Sequence, residues 1–317
     1  MPASVRLQPA QPAFMNMLQL LLLAAASRAD VLRASCPNPS YELWPERTYG
    51  LFYDQDPDFG FCDFQYLMGK RMLEIGGPTA GSNMYDHVKS VDNVIQLPLV
   101  RYFAQFGNVE HDPAALASDD DGSPYAPRGA AMGRVFRRHG ARLEGFADAS
   151  YEAVASVHSL EHFLDPLEAL AEWDRVLAPG GILLLVLPQV GNCTDKHRTP
   201  ASMQELLAIR GAAARGDIAR VRGHYFELFV RLFDDQDEDF DPFGLHAVNN
   251  TDDRRKVLRN YTSVMDDVVH WHAWDFDLIH ETVAGCLGYD VLGLKLLPPM
   301  PPAHCPWHQI VLARKPG

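Results

Sequence analysis

The sequence predicts an α/β protein built on an open, doubly wound sheet, and three features of the chain support this prediction. An apolar strand over residues 71–76 runs into a tight glycine turn, Gly76-Gly77-Pro78. A second apolar strand, Ala153–Val157, is followed by a helix that begins at Asp165. A third strand, Ile182–Leu187, is continuously apolar, as expected for a parallel strand covered on both faces. Repeated strand–helix pairs of this kind form sheets that hold nucleotide-like ligands.

Two segments precede the predicted sheet. Residues 1–29 include the ten-residue apolar run Met17–Ala26, which is too short to span a bilayer. Ser27-Arg28-Ala29 is typical of a signal cleavage site, whereas the run is equally typical of a buried amphipathic helix, so a secretory route and a cytoplasmic location both stay open. Residues 30–65 are rich in aromatic side chains, and we expect them to pack over the domain as a leader or lid.

The domain itself is predicted over residues 66–317. Lys89–Asp92 is expected to end a second strand, and Arg134–Arg137 to form a third. The segment between them, residues 110–133, is acidic and rich in Ala, Gly and Pro, which predicts an exposed loop. Asp165-Pro166 is a helix-capping pair, so the helix after the fourth strand is expected to begin there and to end before Pro179-Gly180-Gly181.

A long insertion is predicted after the fifth strand. About a hundred residues separate Pro188 from the next strand, far more than one crossover helix needs. Apolar residues at helical spacing over 202–213 and 217–233 predict two helices. We therefore expect a helical cap inserted at about residues 199–270.

The end of the chain is predicted as one helix and two strands. Asp275–Leu287 has helical spacing and is followed by Gly288, a residue typical of helix C-termini. Strands are expected over Tyr289–Leu297 and Gln309–Arg314, with a proline-rich loop between them. We expect these two strands to form an antiparallel pair.

Composition excludes some classes of partner. The net charge of −13 argues against nucleic acid and against an anionic membrane surface, because both are bound by basic surfaces. No segment after the first 29 residues is long and apolar enough to cross a membrane. The five cysteines form no CxxC pair and are expected to be isolated buried thiols.

The glycine turn favours S-adenosyl-L-methionine over a dinucleotide. A dinucleotide fold needs Gly-x-Gly-x-x-Gly, but Pro78 stands at the middle glycine and removes a backbone N–H at the closest approach to a pyrophosphate. S-adenosylmethionine has no phosphates. Glu74, Gly76 and Gly77 are expected to hold its methionine end, and Asp92, at the end of the second strand, its ribose hydroxyls. The two carboxylates should then converge on one crevice.

The chain resembles the class I S-adenosylmethionine-dependent methyltransferases of the type 11 methyltransferase-domain group. The residues that carry the resemblance, over roughly residues 70–190, are Leu73–Pro78, Ser90–Val94, Phe146–Glu152, His158–His162 and Arg175–Gly181. It implies a Rossmann-like, seven-stranded sheet with a reversed last strand, and it implies that His158 and Ser159 lie beside the transferable methyl group. Two features depart from the pattern: Pro78 and Ala80 replace turn glycines, and Gly140 replaces an acid that binds adenine.

Two polar clusters are expected on the substrate side: Asp195-Lys196-His197-Arg198, and the segment from His270 to Asp275. Because ligands bind at the carboxyl ends of parallel strands, the first cluster should face the pocket. We predict catalytic roles for three histidines and acceptor binding by three other residues, namely His197, His270 and His272, and Asp195, Arg198 and Asp275. A histidine that titrates near neutrality suits a general base.

Two other interpretations of these clusters stay open. The histidines can be structural, with Asp275 only a helix cap, or Asp195, His197, His270 and His272 can bind a metal ion. His162 is expected to be structural, and no metal site is predicted. The predicted function is methyl transfer from S-adenosylmethionine to an oxygen or nitrogen of a small-molecule or glycan-type acceptor. The alternatives are a catalytically silent binding protein with the same fold and a metal-dependent enzyme; the oligomeric state is not predicted.

Overall fold

The computed structural model describes the central and C-terminal parts of the chain. The described residues are 66–77, 83–96, 120–126, 131–190, 195, 198–235, 252, 253, 256, 270–297 and 308–317. The leader, Pro78, Ala80 and His197 lie outside these residues, and so do the predictions made for them.

The fold is an α/β sheet of eight strands. The strands are β1 Arg71–Ile75, β2 Ser90–Ile95, β3 Pro124–Tyr125, β4 Gly133–Arg137, β5 Tyr151–Val157, β6 Leu177–Pro188, β7 Asp290–Leu297 and β8 His308–Arg314. Their order across the sheet is β3-β4-β2-β1-β5-β6-β8-β7. Strand β8 is antiparallel to both of its neighbours, whereas β4, β2, β1, β5 and β6 are parallel. The predicted Rossmann-like fold with a reversed last strand is therefore confirmed.

One strand was not predicted. Strand β3 has two residues and pairs antiparallel with β4, so that it extends the sheet from seven strands to eight. It lies in the segment that the composition predicted to be an exposed loop. That prediction is wrong at Tyr125, whose side chain is fully buried.

The helices lie close to their predicted positions. They are α1 Pro166–Val176, α2 Met203–Ala214, α3 Ile218–Asp235 and α4 Phe276–His280, with 3₁₀ turns at Asn83–Asp86 and Leu160–His162. Asp165 caps α1, because its side chain accepts a hydrogen bond from the N–H of Glu168 at 3.1 Å. Helices α2 and α3 fall within the predicted cap, whose boundaries stay a prediction.

The last predicted helix differs in its second half. It is α-helical only over α4 and continues as a π-helical turn over Glu281–Cys286. The hydroxyl of Thr282 donates to the carbonyl of Leu278 at 2.7 Å and occupies an acceptor in the preceding turn. Cys286 is disulfide-bonded, so the expectation of isolated thiols is wrong for this residue.

Apolar side chains cover both faces of the sheet. Leu73 and Ile75 of β1 belong to the cluster that packs under α1, while Met72 points into a second cluster on the opposite face. This alternation is the pleat of a β-strand, in which successive side chains point to opposite faces. None of the described helices combines the length and apolar character that crossing a bilayer requires.

The strand order shows where a ligand site should lie. From β1 the chain moves outward through β2 to β4, and it then returns to place β5 and β6 on the other side of β1. The order therefore reverses between β1 and β5. In open α/β sheets, ligands bind at the carboxyl ends of the strands at such a switch point.

Candidate active site

A glycine turn and a serine meet at the switch point. Gly76 follows β1 with φ +85°, a left-handed conformation that favours glycine, and its N–H donates to the carbonyl of Val94 at 2.8 Å. From the end of β5, the hydroxyl of Ser159 donates to the carbonyl of Ile75 at 3.0 Å. A Cβ atom on Gly76 would lie 1.9 Å from that hydroxyl oxygen. Glycine is therefore required both by the backbone and by the approach of Ser159.

Glu74 lies beneath this turn and is held by the protein itself. Its side chain is fully buried and accepts hydrogen bonds from the hydroxyls of Tyr85 and Tyr125, at 2.9 and 2.7 Å, and from the amide of Asn93 at 3.2 Å. A Cβ atom on Gly77 would lie 2.1 Å from its carboxyl carbon. Glu74 therefore supports the turn from below. No sequence pattern indicated Tyr125, because this residue comes from the segment that was expected to be an exposed loop.

Asp92 lies on the other face of the sheet. In the parallel register of β1 and β2, Leu73 pairs with Asp92 and Glu74 pairs with Asn93, so Glu74 and Asp92 point to opposite faces. Asp92 accepts from the hydroxyl of Tyr151 at 2.7 Å and from the N–H of Arg134 at 2.9 Å. The prediction that the two carboxylates converge on one crevice is wrong.

The strand boundary explains part of this error. Asp92 was expected at the end of β2, but the strand continues to Ile95, and Asp92 lies in its middle. Burial and the neighbouring carboxylate of Asp92 raise the pKa of Tyr151, which keeps the phenol protonated as a donor. The first side chain beyond β2 is Gln96, which is polar and exposed.

His158 adjoins the turn at the carboxyl end of β5. It has φ +48°, an uncommon conformation for a residue other than glycine and one that is enriched at functional sites. A third of its side chain is exposed, and its Nδ1 lies 3.3 Å from a carboxylate oxygen of Glu161. The structure thus brings together Gly76, Gly77, His158 and Ser159, four of the six residues predicted to bind the cofactor.

A carboxylate–histidine cluster lies beyond His158. Glu161 is fully buried, and the imidazoles of His158, His162 and His270 surround it. Burial alone would raise the pKa of Glu161, but the three histidines more than offset this effect and lower the pKa. The rings of His162 and His270 are in edge-to-face contact, with centroids 4.9 Å apart. Glu161 belongs to a segment that carries the family resemblance, and His162 was expected to be structural; no sequence pattern predicted that either would lie beside His270.

The two predicted substrate-side clusters meet at Asp195. One of its oxygens lies 2.8 Å from Nδ1 of His270, and the other accepts from Arg198 at 2.9 Å. Arg198 also donates to the carbonyls of His270 and Trp271, at 2.6 and 2.9 Å. Burial opposes both charges, yet their mutual attraction prevails, lowering the pKa of Asp195 and raising that of His270. Arg198 thus holds the side chain of Asp195 and the backbone of His270 together.

His272 and Asp275 have structural positions. His272 is buried, its Nε2 lies 2.9 Å from the carbonyl of Leu164, and burial lowers its pKa to about 4. A neutral imidazole donating to that carbonyl accounts for the contact. Asp275 caps α4, because it accepts from the N–H of Leu278 at 2.8 Å. These contacts favour the structural interpretation of both residues, and the roles predicted for them stay predictions.

The capping role of Asp275 can be tested with two variants. We expect Asp275→Ala to lower the free energy of unfolding by about 1 kcal/mol, because the N-terminal N–H groups of α4 lose their acceptor. Asp275→Asn keeps a capping oxygen and should be close to wild type. Urea unfolding followed by circular dichroism measures both. Equal stability of the two variants would contradict the capping role.

Part of the chain is similar to known proteins. Residues 95–185, from the last residue of β2 to the ninth residue of β6, match the family model described as a methyltransferase domain. No curated protein matches the chain. Similar solved structures include an S-adenosylmethionine-dependent methyltransferase from Methanosarcina mazei, 15% identical over 80% of this chain and 95% of that one, with a TM-score of 0.43. Another is the arsenic(III) S-adenosylmethionine methyltransferase of Chlamydomonas reinhardtii, 12% identical over 95% and 73%, with a TM-score of 0.37.

The matched domain and the sheet with its reversed strand define the class of protein: the chain is a class I methyltransferase and hence an enzyme. Its cofactor is S-adenosyl-L-methionine. The matched range begins after the glycine turn, so this identification does not depend on Gly76 and Gly77.

Proposed function

We propose that this methyltransferase acts on an oxygen or nitrogen of a small-molecule or glycan-type acceptor. One observation carries the proposal: the glycine turn and His158 adjoin a cluster of histidines and carboxylates at the same edge of the sheet. S-adenosylmethionine supplies an activated methyl group on a positively charged sulfur. The residues of the chain have to hold the two reactants in line and assist the loss of a proton from the acceptor.

The residues at the switch point suit this cofactor. The buried carboxylate of Glu74 places negative charge directly under the turn, which favours a ligand that carries an ammonium and a sulfonium group above it. Gly76, Gly77, Ser159 and His158 would hold the methionine end. Asp92 is not part of this site.

Gln96 takes the place that Asp92 was expected to fill. It is exposed immediately after β2, at the carboxyl edge of the sheet. Its amide can donate one hydrogen bond and accept another, so it can pair with the two ribose hydroxyls.

The acceptor side is assigned to the cluster around His270. An oxygen or nitrogen acceptor must lose a proton when it is methylated, and an imidazole is the side chain suited to assist this loss near neutral pH. Asp195 holds Nδ1 of His270 and so fixes the orientation of the ring. Arg198 positions Asp195. His197 stays a predicted catalytic residue.

Calorimetric titration with S-adenosylmethionine and S-adenosylhomocysteine tests the cofactor site. We expect one molecule of either ligand to bind per chain. Gln96→Ala should weaken both ligands, and Gln96→Asn should recover part of the loss. If Gln96→Ala binds both ligands as tightly as the wild type does, the proposed role of Gln96 in the cofactor site is wrong.

The role of His270 is tested by methyl transfer to a panel of sugars and small molecules that carry hydroxyl or amine groups. With the best acceptor, we expect His270→Gln to lower turnover by roughly 100-fold or more, because the group that assists proton loss is gone. Binding of S-adenosylmethionine should not change. His224→Gln, an exposed histidine on α3, is the control and should keep wild-type turnover. If His270→Gln and His224→Gln have equal turnover, His270 does not assist proton loss.

A further inference from the structure

Three side chains from two distant segments offer metal ligands to one point. Glu161 and His162 belong to the 3₁₀ turn after β5, and His270 precedes α4. One ligand atom from each lies within 4.8 Å of the other two, and Nε2 of His162 is 4.0 Å from a carboxylate oxygen of Glu161. The N–H of Trp271 donates to the carbonyl of Glu161 at 2.8 Å and holds the two segments together.

The carboxylate of Glu161 needs a positive partner. Its side chain is fully buried, and within the described part of the chain its oxygens have no hydrogen bond of good geometry; Nδ1 of His158 lies 3.3 Å from one of them. A buried carboxylate without hydrogen bonds is costly, so it is normally paired with a cation or bound to a metal ion. Asp165, by contrast, is a buried acid with both an N–H donor and Arg210 as partners. The groups whose charge acts on Glu161 are the imidazoles of His158, His162 and His270, and imidazole is itself a metal ligand.

The contacts of His270 are those of a metal ligand whose second ring nitrogen is held by a carboxylate. Its Nδ1 is engaged by Asp195 at 2.8 Å, so Nε2 is the ring nitrogen that would ligate. Histidine ligands commonly have their second nitrogen bonded to a carboxylate, which fixes the ring and raises its basicity. Arg198, bound to Asp195 and to the backbone of His270, keeps this support in place.

We propose that Glu161, His162 and His270 bind one divalent transition-metal ion of the zinc type, with Asp195 supporting His270. Two imidazoles and one carboxylate suit this class of ion, and a fourth position stays open for an oxygen of the acceptor. Tetrahedral coordination requires the ligand atoms to approach to about 3.4 Å of one another, which is a small side-chain movement from the observed positions.

This inference rests on the proposed function for the acceptor side and deepens it. With the ion bound, Nε2 of His270 would be a ligand and not a base. The ion would lower the pKa of an acceptor hydroxyl at the open position, so that its proton passes to water while its oxygen takes the methyl group from the sulfonium and S-adenosylhomocysteine leaves. The ion differs from the metal site considered from the sequence, since His272 is bonded to a carbonyl and does not contribute.

Titration of chelator-treated, untagged full-length protein with Co²⁺ tests the site, with the visible absorption of the ion as the readout. We expect one Co²⁺ per chain with the strong bands of tetrahedral coordination, and we expect Zn²⁺ to displace it. Glu161→Gln and His162→Gln should each weaken binding by roughly 100-fold, and Asp195→Asn by about 10- to 100-fold. His224→Gln should bind as the wild type does.

Three outcomes would overturn the proposal: a wild-type chain that binds no Co²⁺, bands of octahedral coordination only, or equal binding by Glu161→Gln and His224→Gln. In the first case, protonated imidazoles balance Glu161 instead. Because wild-type binding is measured directly, a variant that fails to fold does not decide the test. Calorimetry with S-adenosylmethionine on the metal-free protein is run in parallel, so failure of the metal site and failure of the cofactor site are distinguished.

Discussion

Replacement of Glu74 by alanine is expected to lower the free energy of unfolding by about 3–5 kcal/mol, because three buried donors lose their acceptor and a cavity opens in the core. The hydroxyls of Tyr85 and Tyr125 and the amide of Asn93 all donate to this carboxylate. Alanine leaves these buried donors without an acceptor and opens a cavity beneath the glycine turn. Urea unfolding followed by circular dichroism measures the loss.

Two control variants distinguish the loss of the buried hydrogen-bond network around Glu74 from the loss of a carboxylate elsewhere in the chain. Tyr125→Phe removes one donor and keeps the ring, so it should lose only about 1–3 kcal/mol. Glu144→Ala removes an exposed glutamate from a loop and should change stability little. A Glu74→Ala variant as stable as Glu144→Ala would show that the carboxylate does not hold the turn. The same variant should also bind S-adenosylmethionine more weakly, since the turn loses its support and its negative charge.

Replacement of Gly76 by alanine is expected to weaken S-adenosylmethionine binding by at least about tenfold, equivalent to about 1.4 kcal/mol. Alanine has to adopt φ +85°, and its Cβ atom would lie 1.9 Å from the hydroxyl oxygen of Ser159. The backbone strain costs about 1–2 kcal/mol, and the contact adds to it by displacing the turn or the serine. Calorimetric titration measures the affinity, and urea unfolding measures the stability.

Gly180 provides a matched control for Gly76. It has φ +72°, but a Cβ atom there would meet nothing within 4 Å. Gly180→Ala should therefore show the backbone strain alone, with unchanged cofactor affinity. Adding Ser159→Gly to Gly76→Ala removes the contact and should recover part of the stability. If Gly76→Ala and Gly180→Ala bind the cofactor equally well, the turn is not part of the cofactor site.

Local patterns in the sequence were sufficient to predict most strands and helices of the fold. The apolar run Ile182–Leu187 lies within β6, and the capping pair Asp165-Pro166 marks the start of α1. Both are short-range features, since strand burial depends on a continuous apolar run and a cap on residues within one turn. The antiparallel closing pair, β7 and β8, was also predicted. The π-helical turn after α4 was missed, because it departs from ordinary helical geometry without a change of pattern.

The sequence by itself determined the fold class, the position of the glycine turn and the resemblance to the methyltransferases. Only the tertiary structure decided which side chains meet. Strand β2 continues three residues beyond its predicted end, so Asp92 lies within the strand. Because side chains alternate between the two faces of the sheet, Asp92 and Glu74 point to opposite faces. Likewise, His270 reached Glu161 only because segments about a hundred residues apart pack together. Periodicity and caps act between residues that are close along the chain, whereas register and packing are set by contacts that no local pattern records.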